Sequence, residues 1–223
     1  MPGDALLLVL TDVDPAWESE FNQWYDEEHV PDLLGVPGVL AARRYRAIEG
    51  EPRYMAVYDL ADTSVVEGPE YQRVRAWGPG ATDRSRRIFA SFRNMTRGVY
   101  RRILTLPDPE PSDLSAAEFL LLRGLEVDPG QEEEFQDWYN TEHFPNISRV
   151  PAVLRCRRFK LYPGASGLMG NPAIYMALYD VKSPDVEGTA EWKQATDTPW
   201  TLRMRRKFTR RQRVVYRRIL PRG

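Results

Sequence analysis

The stretch Phe21-Asn22-Gln23-Trp24-Tyr25-Asp26-Glu27-Glu28-His29-Val30-Pro31 returns later in the chain as Phe135-Gln136-Asp137-Trp138-Tyr139-Asn140-Thr141-Glu142-His143-Phe144-Pro145. Phe, Trp, Tyr, Glu, His and Pro hold the same places in both copies, whereas Asp26 and Glu27 become Asn140 and Thr141. His29 and His143 are the only two histidines among the 223 residues and stand 114 apart. On an α-helix, positions i, i+3, i+4, i+7 and i+8 share one face. Counted from Phe21, these are Trp24, Tyr25, Glu28 and His29, so the repeated residues form one stripe that starts apolar and ends polar. The spacing predicts a helix running to about His29, with Pro31 barring further regular helix. A Glu and a His on an inward face cost roughly a few kcal/mol unless they find partners, which makes them the first candidates for chemistry.

The repeat extends outward from this stripe. Residues 5–11 are a short apolar run that reads as a strand buried on both faces. Asp14-Pro15 and Asp128-Pro129 open the two helices as N-cap and first helical position, and Glu18 and Glu20 suit the positive end of the helix dipole. After Val36-Pro37-Gly38 and Val150-Pro151-Ala152, strands are expected over 39–48 and 153–161. These carry Arg43-Arg44 and Arg157-Arg158, one arginine of each pair pointing to each face. A third strand over 54–59 returns as 175–180. Weaker helices follow at about 68–77 and 189–196, with a further helical piece before the last strand. Both halves close on Val-Tyr-Arg-Arg-Ile-Leu, at 99–104 and 215–220. Residues 107–115 read as a Pro/Asp/Ser linker. The Gly/Pro-rich insertion over 163–172 reads as a flexible loop or lid.

Each half therefore reads βαββαβ, the ferredoxin-like unit of the α+β class. Helices cover one face of such a sheet and leave the other bare. The expectation is two fused units, residues 1–106 and 116–223, whose sheets pack face to face into one pseudo-symmetric barrel. This is a pseudo-dimer within one chain, with further homo-oligomerisation left open.

The net charge of −1 excludes a general electrostatic match to nucleic acid or to an anionic membrane. The basic run over 203–218 has a counterpart over 84–102 and is balanced by acidic first helices. The lone Cys156 excludes an internal disulfide and a Cys-x-x-Cys site, fits a reducing compartment, and reads as buried filler in mid-strand. The apolar run from Ala5 to Leu10 is too short for a signal-peptide core or a membrane span, so a cytoplasmic protein is expected. The chain has no Gly-rich phosphate loop, Gly-x-Ser-x-Gly elbow or His-Glu-x-x-His. One His and one Glu per half fall short of a metal's usual ligand count. No metal and no cofactor are expected.

The pattern Phe-x-x-Trp-Tyr-x-x-Glu-His-x-Pro, followed by Val-Pro-Gly-Val and an Arg-Arg-Tyr strand, resembles the dimeric α/β-barrel superfamily. Within it the likeness is to EthD-like proteins, in which a His-x-Pro ends the first helix. The resemblance implies a substrate cleft between the sheet and its helices, with His29 and His143 at the place of the family's motif histidine. Members include cofactor-free cyclases, lactone isomerases, oxygenases of aromatic polyketides, and aldoxime or haem-linked enzymes. Most are homodimers of single units, so the covalent fusion departs from the pattern and frees the two clefts to diverge.

His29 and His143 have two readings. One is general acid/base chemistry, for which an ordinary pKa of about 6.5 is suited; a helix C-terminus and a neighbouring carboxylate favour the protonated form. The other is a cap on terminal helix carbonyls. Glu28 and Glu142 orient the histidines or act as base, or else pair with the inward Arg44 and Arg158. Trp24, Tyr25, Trp138 and Tyr139 are expected largely in the core, with a tyrosine hydroxyl toward the cleft. Tyr54, Tyr58, Tyr175 and Tyr179 line it from the sheet. Such walls suit a flat, apolar or aromatic small molecule. The sequence thus points to a cofactor-independent lyase, cyclase or isomerase. The alternatives are a cofactor-free oxygenase, a haem-binding relative, or a non-catalytic small-molecule-binding or scaffold protein.

Overall fold

The computed structural model describes residues 3–220. The first apolar run forms β1 (Ala5–Val13). It is buried on both faces, since Leu6, Leu8 and Leu10 join one core while Leu7 and Val9 join another. Asp14 then accepts the Ala16 amide at 3.0 Å and opens a short 3-10 turn at Pro15. It leads into α1 (Glu18–Trp24).

The predicted stop at His29 does not occur. Residues Tyr25–His29 form a single π-helical turn, in which the Val30 amide donates to the Tyr25 carbonyl, and α2 (Val30–Leu34) continues through Pro31. In a regular helix the Pro31 ring would clash with the Glu27 carbonyl four residues back. The widened turn relieves that clash at the cost of one irregular turn.

The chain proceeds through β2 (Val39–Glu49), β3 (Tyr54–Leu60), α3 (Pro69–Val74), α4 (Asp83–Ala90) and β4 (Phe92–Leu106). The second half follows the same order: β5 (Phe119–Val127), α5 (Glu132–Trp138), a π-helical turn at Tyr139–His143 and α6 (Phe144–Ile147). Then come β6 (Val153–Leu161), β7 (Tyr175–Val181), α7 (Ala190–Thr196), α8 (Pro199–Met204) and β8 (Phe208–Leu220). The further helical piece expected before each last strand is α4 and α8.

The eight strands close into one antiparallel barrel in the order β1-β3-β2-β8-β5-β7-β6-β4. Face-to-face packing of two sheets is not what closes it. The edge strands β2 and β4 hydrogen-bond to β8 and β6 of the other half, which removes the exposed edges an open sheet would leave. Leu6, Leu8, Leu10, Met55, Val57, Leu120, Leu122, Met176, Leu178 and Val214 fill the barrel interior together with Tyr45, Tyr100, Phe159 and Tyr216. The outer faces pack beneath the helices around Phe21, Trp24 and Tyr25 in one half and Phe135, Trp138 and Tyr139 in the other. Each such fully buried side chain contributes roughly 1.5–3 kcal/mol.

Inside the barrel, ion pairs join the two halves. Asp59 accepts from Arg43 at 2.6 Å and from Arg157 at 2.9 Å, and Arg155 reaches Asp180 and Glu110, each at 2.8 Å. Burial alone would raise the Asp59 carboxyl, but Arg157 and Arg43 outweigh it and hold it at about 2. Glu110 also pairs with Arg102, so the segment between the halves is pinned against the strands.

The insertion over 163–172, expected as a loop or lid, is docked on the first half. The Ser166 amide donates to Glu67 at 2.7 Å, and Arg97 donates to the Ser166 and Gly167 carbonyls at 3.0 and 2.6 Å. Met169 pairs with Arg97 through the backbone, and Ala165 is buried in the first half's core. Among the described residues no helix is long and apolar enough to cross a membrane.

Candidate active site

In each half the repeated stripe fastens α1 or α5 to the later helices. Trp24 Nε1 donates to Ser85 Oγ at 2.9 Å, and Trp138 Nε1 donates to Thr201 Oγ1 at 3.0 Å. Thr82 and Thr198 cap α4 and α8, and their hydroxyls donate to Glu28 and Glu142, both at 2.6 Å. Ser85 also donates to Glu28 at 2.7 Å. Both glutamates therefore tie helix starts together. They neither orient the histidines nor pair with the inward arginines. Arg44 instead meets Asp26 at 3.0 Å and Asn22 at 2.8 Å, and Arg158 donates to Asn140 at 2.7 Å. Their guanidiniums lie over Tyr25 and Tyr139, 4.0 and 4.2 Å from the ring centroids.

The imidazole of His29 lies against Trp24, and that of His143 against Trp138, each with centroids 4.3 Å apart. Tyr25 and Tyr139 meet them edge-on at 5.3 and 5.0 Å. Neither imidazole hydrogen-bonds to any described residue, so neither caps a helix carbonyl. The expected preference for the protonated form is reversed. Burial drives both histidines down to about 3, assisted by Arg44 at His29 and by Arg205, Arg123 and Arg158 at His143. The neighbouring carboxylates are occupied by Thr82 and Thr198, and the chain stays helical past both histidines. The two features expected to stabilise the charged ring are therefore missing. His143 is 9% exposed, and its Nδ1 is buried without a partner.

The hollows beside the two histidines differ. The one at His143 has a volume of about 310 Å³, walled by Trp138, Tyr139, Tyr179, Trp192 and Phe208 and edged by Arg123, Arg205, Arg211, Arg213 and Glu187. The one at His29 has shrunk to about 20 Å³. Seven residues, 75–81, join α3 to the Thr82 cap, whereas Asp197 alone separates α7 from the Thr198 cap. The longer connection carries Trp77, which packs on Phe89 at 5.0 Å and lies under the Arg97 guanidinium at 5.5 Å. Trp77 thus occupies the space that is open in the second half.

Of the residues singled out from the sequence, Trp138, Tyr139, His143 and Tyr179 converge on the open hollow. Trp24, Tyr25, His29 and Tyr58 surround the filled one. Arg44 and Tyr54 line a shallow outer groove with Glu18 and Asp26. Arg158 and Tyr175 stand outside the hollow, with Arg158 on the Tyr139 ring and the Tyr175 hydroxyl donating to Glu132. Trp192, Glu187 and the four edge arginines were not singled out. The signal lay in differences between the copies. By strand register Arg123 stands where Val9 does, each opposite an arginine of the last strand. Arg205 follows the buried Met204 as Phe89 follows the buried Ile88.

No family model matches the chain, and no curated protein matches it. Among solved structures, an anthrone oxidase-like protein superposes with a TM-score of 0.65 at 12% identity, covering 96% of this chain and 90% of the other. Chlorite dismutase from Candidatus Nitrospira defluvii, in complex with imidazole, superposes with a TM-score of 0.59 at 10% identity, covering 97% and 92%. The fold is the dimeric α/β barrel. At such identities the likeness carries the fold alone. In this dimeric α/β barrel the residues around His143 do not suit haem. A metal-ligating histidine is backed by a hydrogen bond from its other ring nitrogen, and Nδ1 of His143 has no partner to supply one. The ring is also packed against Trp138, tilted by 31° to the indole.

Proposed function

We propose that the chain is a tandem fusion of two ferredoxin-like, EthD-like units, residues 1–106 and 116–223 joined by 107–115. Only the second unit keeps a usable cleft. The strand order β4-β1-β3-β2 and its echo β8-β5-β7-β6 support the fusion, as do two π-helical turns at equivalent places. The cleft of the second unit takes a small aromatic molecule. A dry apolar cavity of about 150 Å³ holds benzene, so about 310 Å³ suits one or two fused rings.

The activity is proton transfer by His143 without a cofactor, leading to isomerisation, cyclisation or elimination. The observation that carries it is an imidazole that lines an aromatic hollow and that burial keeps neutral. In that state it accepts a proton from a phenolic O–H or an activated C–H, and the conjugate anion lies beside Arg123. The test uses 2-tetralone in D₂O. The protein is expected to speed α-proton exchange, His143→Gln to cut that rate by about 10²–10⁴-fold, and His29→Gln to leave it unchanged. Undiminished exchange in His143→Gln sinks the assignment.

A second reading is a cofactor-free oxygenase, favoured by the likeness to the anthrone oxidase-like protein. There the carbanion formed at His143 would pass its electrons to O₂ and form a C–O bond to the substrate carbon. Oxygen uptake with anthrone, absent in His143→Gln, distinguishes it from the first reading.

A further inference from the structure

The open hollow differs from its filled twin in charge as well as in volume. Arg123 and Arg205 stand where the first half has Val9 and Phe89, and Arg211 lies on the strand β8 opposite Leu125. The fold therefore does not need cations at the first two places, since the first half has Val9 and Phe89 there, although Arg75 and Arg97 line its own hollow. Nor are the cations fully paired. Among the described residues Glu187 is the one acid lining the hollow, and it is shared between Arg123 and Arg213, which also holds Glu49. Nη1 of Arg123 is buried with no partner. Arg205 has only Asp197, at 3.4 Å, and Arg211 has no carboxylate in reach among the described residues.

A buried guanidinium N–H left unpaired is costly, and a planar guanidinium matches a carboxylate in charge and shape. We propose that the ligand of the second hollow is an aromatic carboxylate, its ring among Trp138, Tyr139 and Trp192 and its carboxylate on Arg123 and Arg205. The proposal rests on the reading of this hollow as the substrate cleft and deepens it. The same two arginines help to hold His143 unprotonated and weakly basic. A carboxylate seated on them offsets their charge, so the substrate makes the imidazole beside it a better base.

The test compares naphthalene-2-carboxylate with its neutral carboxamide, binding followed calorimetrically on the full chain at fixed salt. The carboxylate is expected to bind about tenfold or more tighter than the amide, a charge-assisted hydrogen bond outranking a neutral one. Arg123→Gln and Arg205→Gln are each expected to lower that ratio about tenfold, and His29→Gln, at the filled hollow, to leave it unchanged. Arg205 lies at the rim, so its variant remains informative if Arg123→Gln fails to fold. Equal affinities, no binding of either probe, or a ratio unmoved in the folded arginine variants overturns the proposal. Amide binding without any carboxylate preference does so while sparing the aromatic cleft. A carboxylate preference that survives beside undiminished tetralone exchange in His143→Gln sinks the role of His143 and leaves the carboxylate site standing.

Discussion

At the scale of single residues, the position of His143 sets how the protein responds to acid. Its folded value is about 3, against about 6.5 in an unfolded chain. Between those limits the unfolded chain binds a proton that the folded one refuses, so stability must fall as the pH drops from about 6.5 toward 3. The slope approaches about 1.4 kcal/mol per pH unit for this one group, and His29 adds to it in the same direction. Urea unfolding from pH 7 to pH 4 should show this decline, and His143→Gln should flatten it; equal slopes in both proteins would refute the buried neutral ring. Since the chain has two histidines, nitrogen-15 spectra at pH 5 should contain two imidazoles, both neutral, where a free histidine would be charged. The place of these residues could be read from the sequence, because a helical stripe fixes direction. Their charge could not, because it depends on desolvation by Trp24, Tyr25, Trp138 and Tyr139 and on arginines from distant strands.

At the scale of elements, a few residues of connection decide whether a hollow exists. Removing the indole that plugs the first half should open a second aromatic site there. Trp77→Ala is expected to raise the calorimetric stoichiometry for neutral naphthalene-2-carboxamide from one to two. It should cost about 2–3 kcal/mol, less than for a wholly buried tryptophan because Trp77 is only partly covered. A stoichiometry that stays at one would show that other groups close the space. The strands were legible because an alternating or continuous apolar run has few other solutions, and β6 falls on its expected residues. The helix ends were not. Pro31 and Pro145 imply an interruption, but the sequence does not say that one π-helical turn lets the helix proceed beyond it. Residues 75–77 of that connection were read as the end of a helix, so the tryptophan went unnoticed as a filler.

At the scale of the whole molecule, the barrel depends on contacts that cross between its halves. Asp59 from one half neutralises Arg157 from the other, and Arg157 is only 1% exposed. Asp59→Asn leaves that guanidinium with Asp180 alone, at 3.6 Å, and should cost about 3 kcal/mol in chemical denaturation. Adding Arg157→Met should recover most of the loss, and a double variant no better than the single would show that the pair does not act as a unit. The repeated sequence pattern was legible and implied a shared interior. The joining of edges β2 to β8 and β4 to β6 was not, since register across the seam is set by pairings between segments far apart in the chain. Arg97, in turn, clasps the segment over 163–172 against the first half. A molecule assembled like this supplies its own reference sample. Any label, isotope shift or quencher aimed at the imidazole of the accessible cleft will meet a chemically matched twin walled off in the same tube, at the same concentration and temperature.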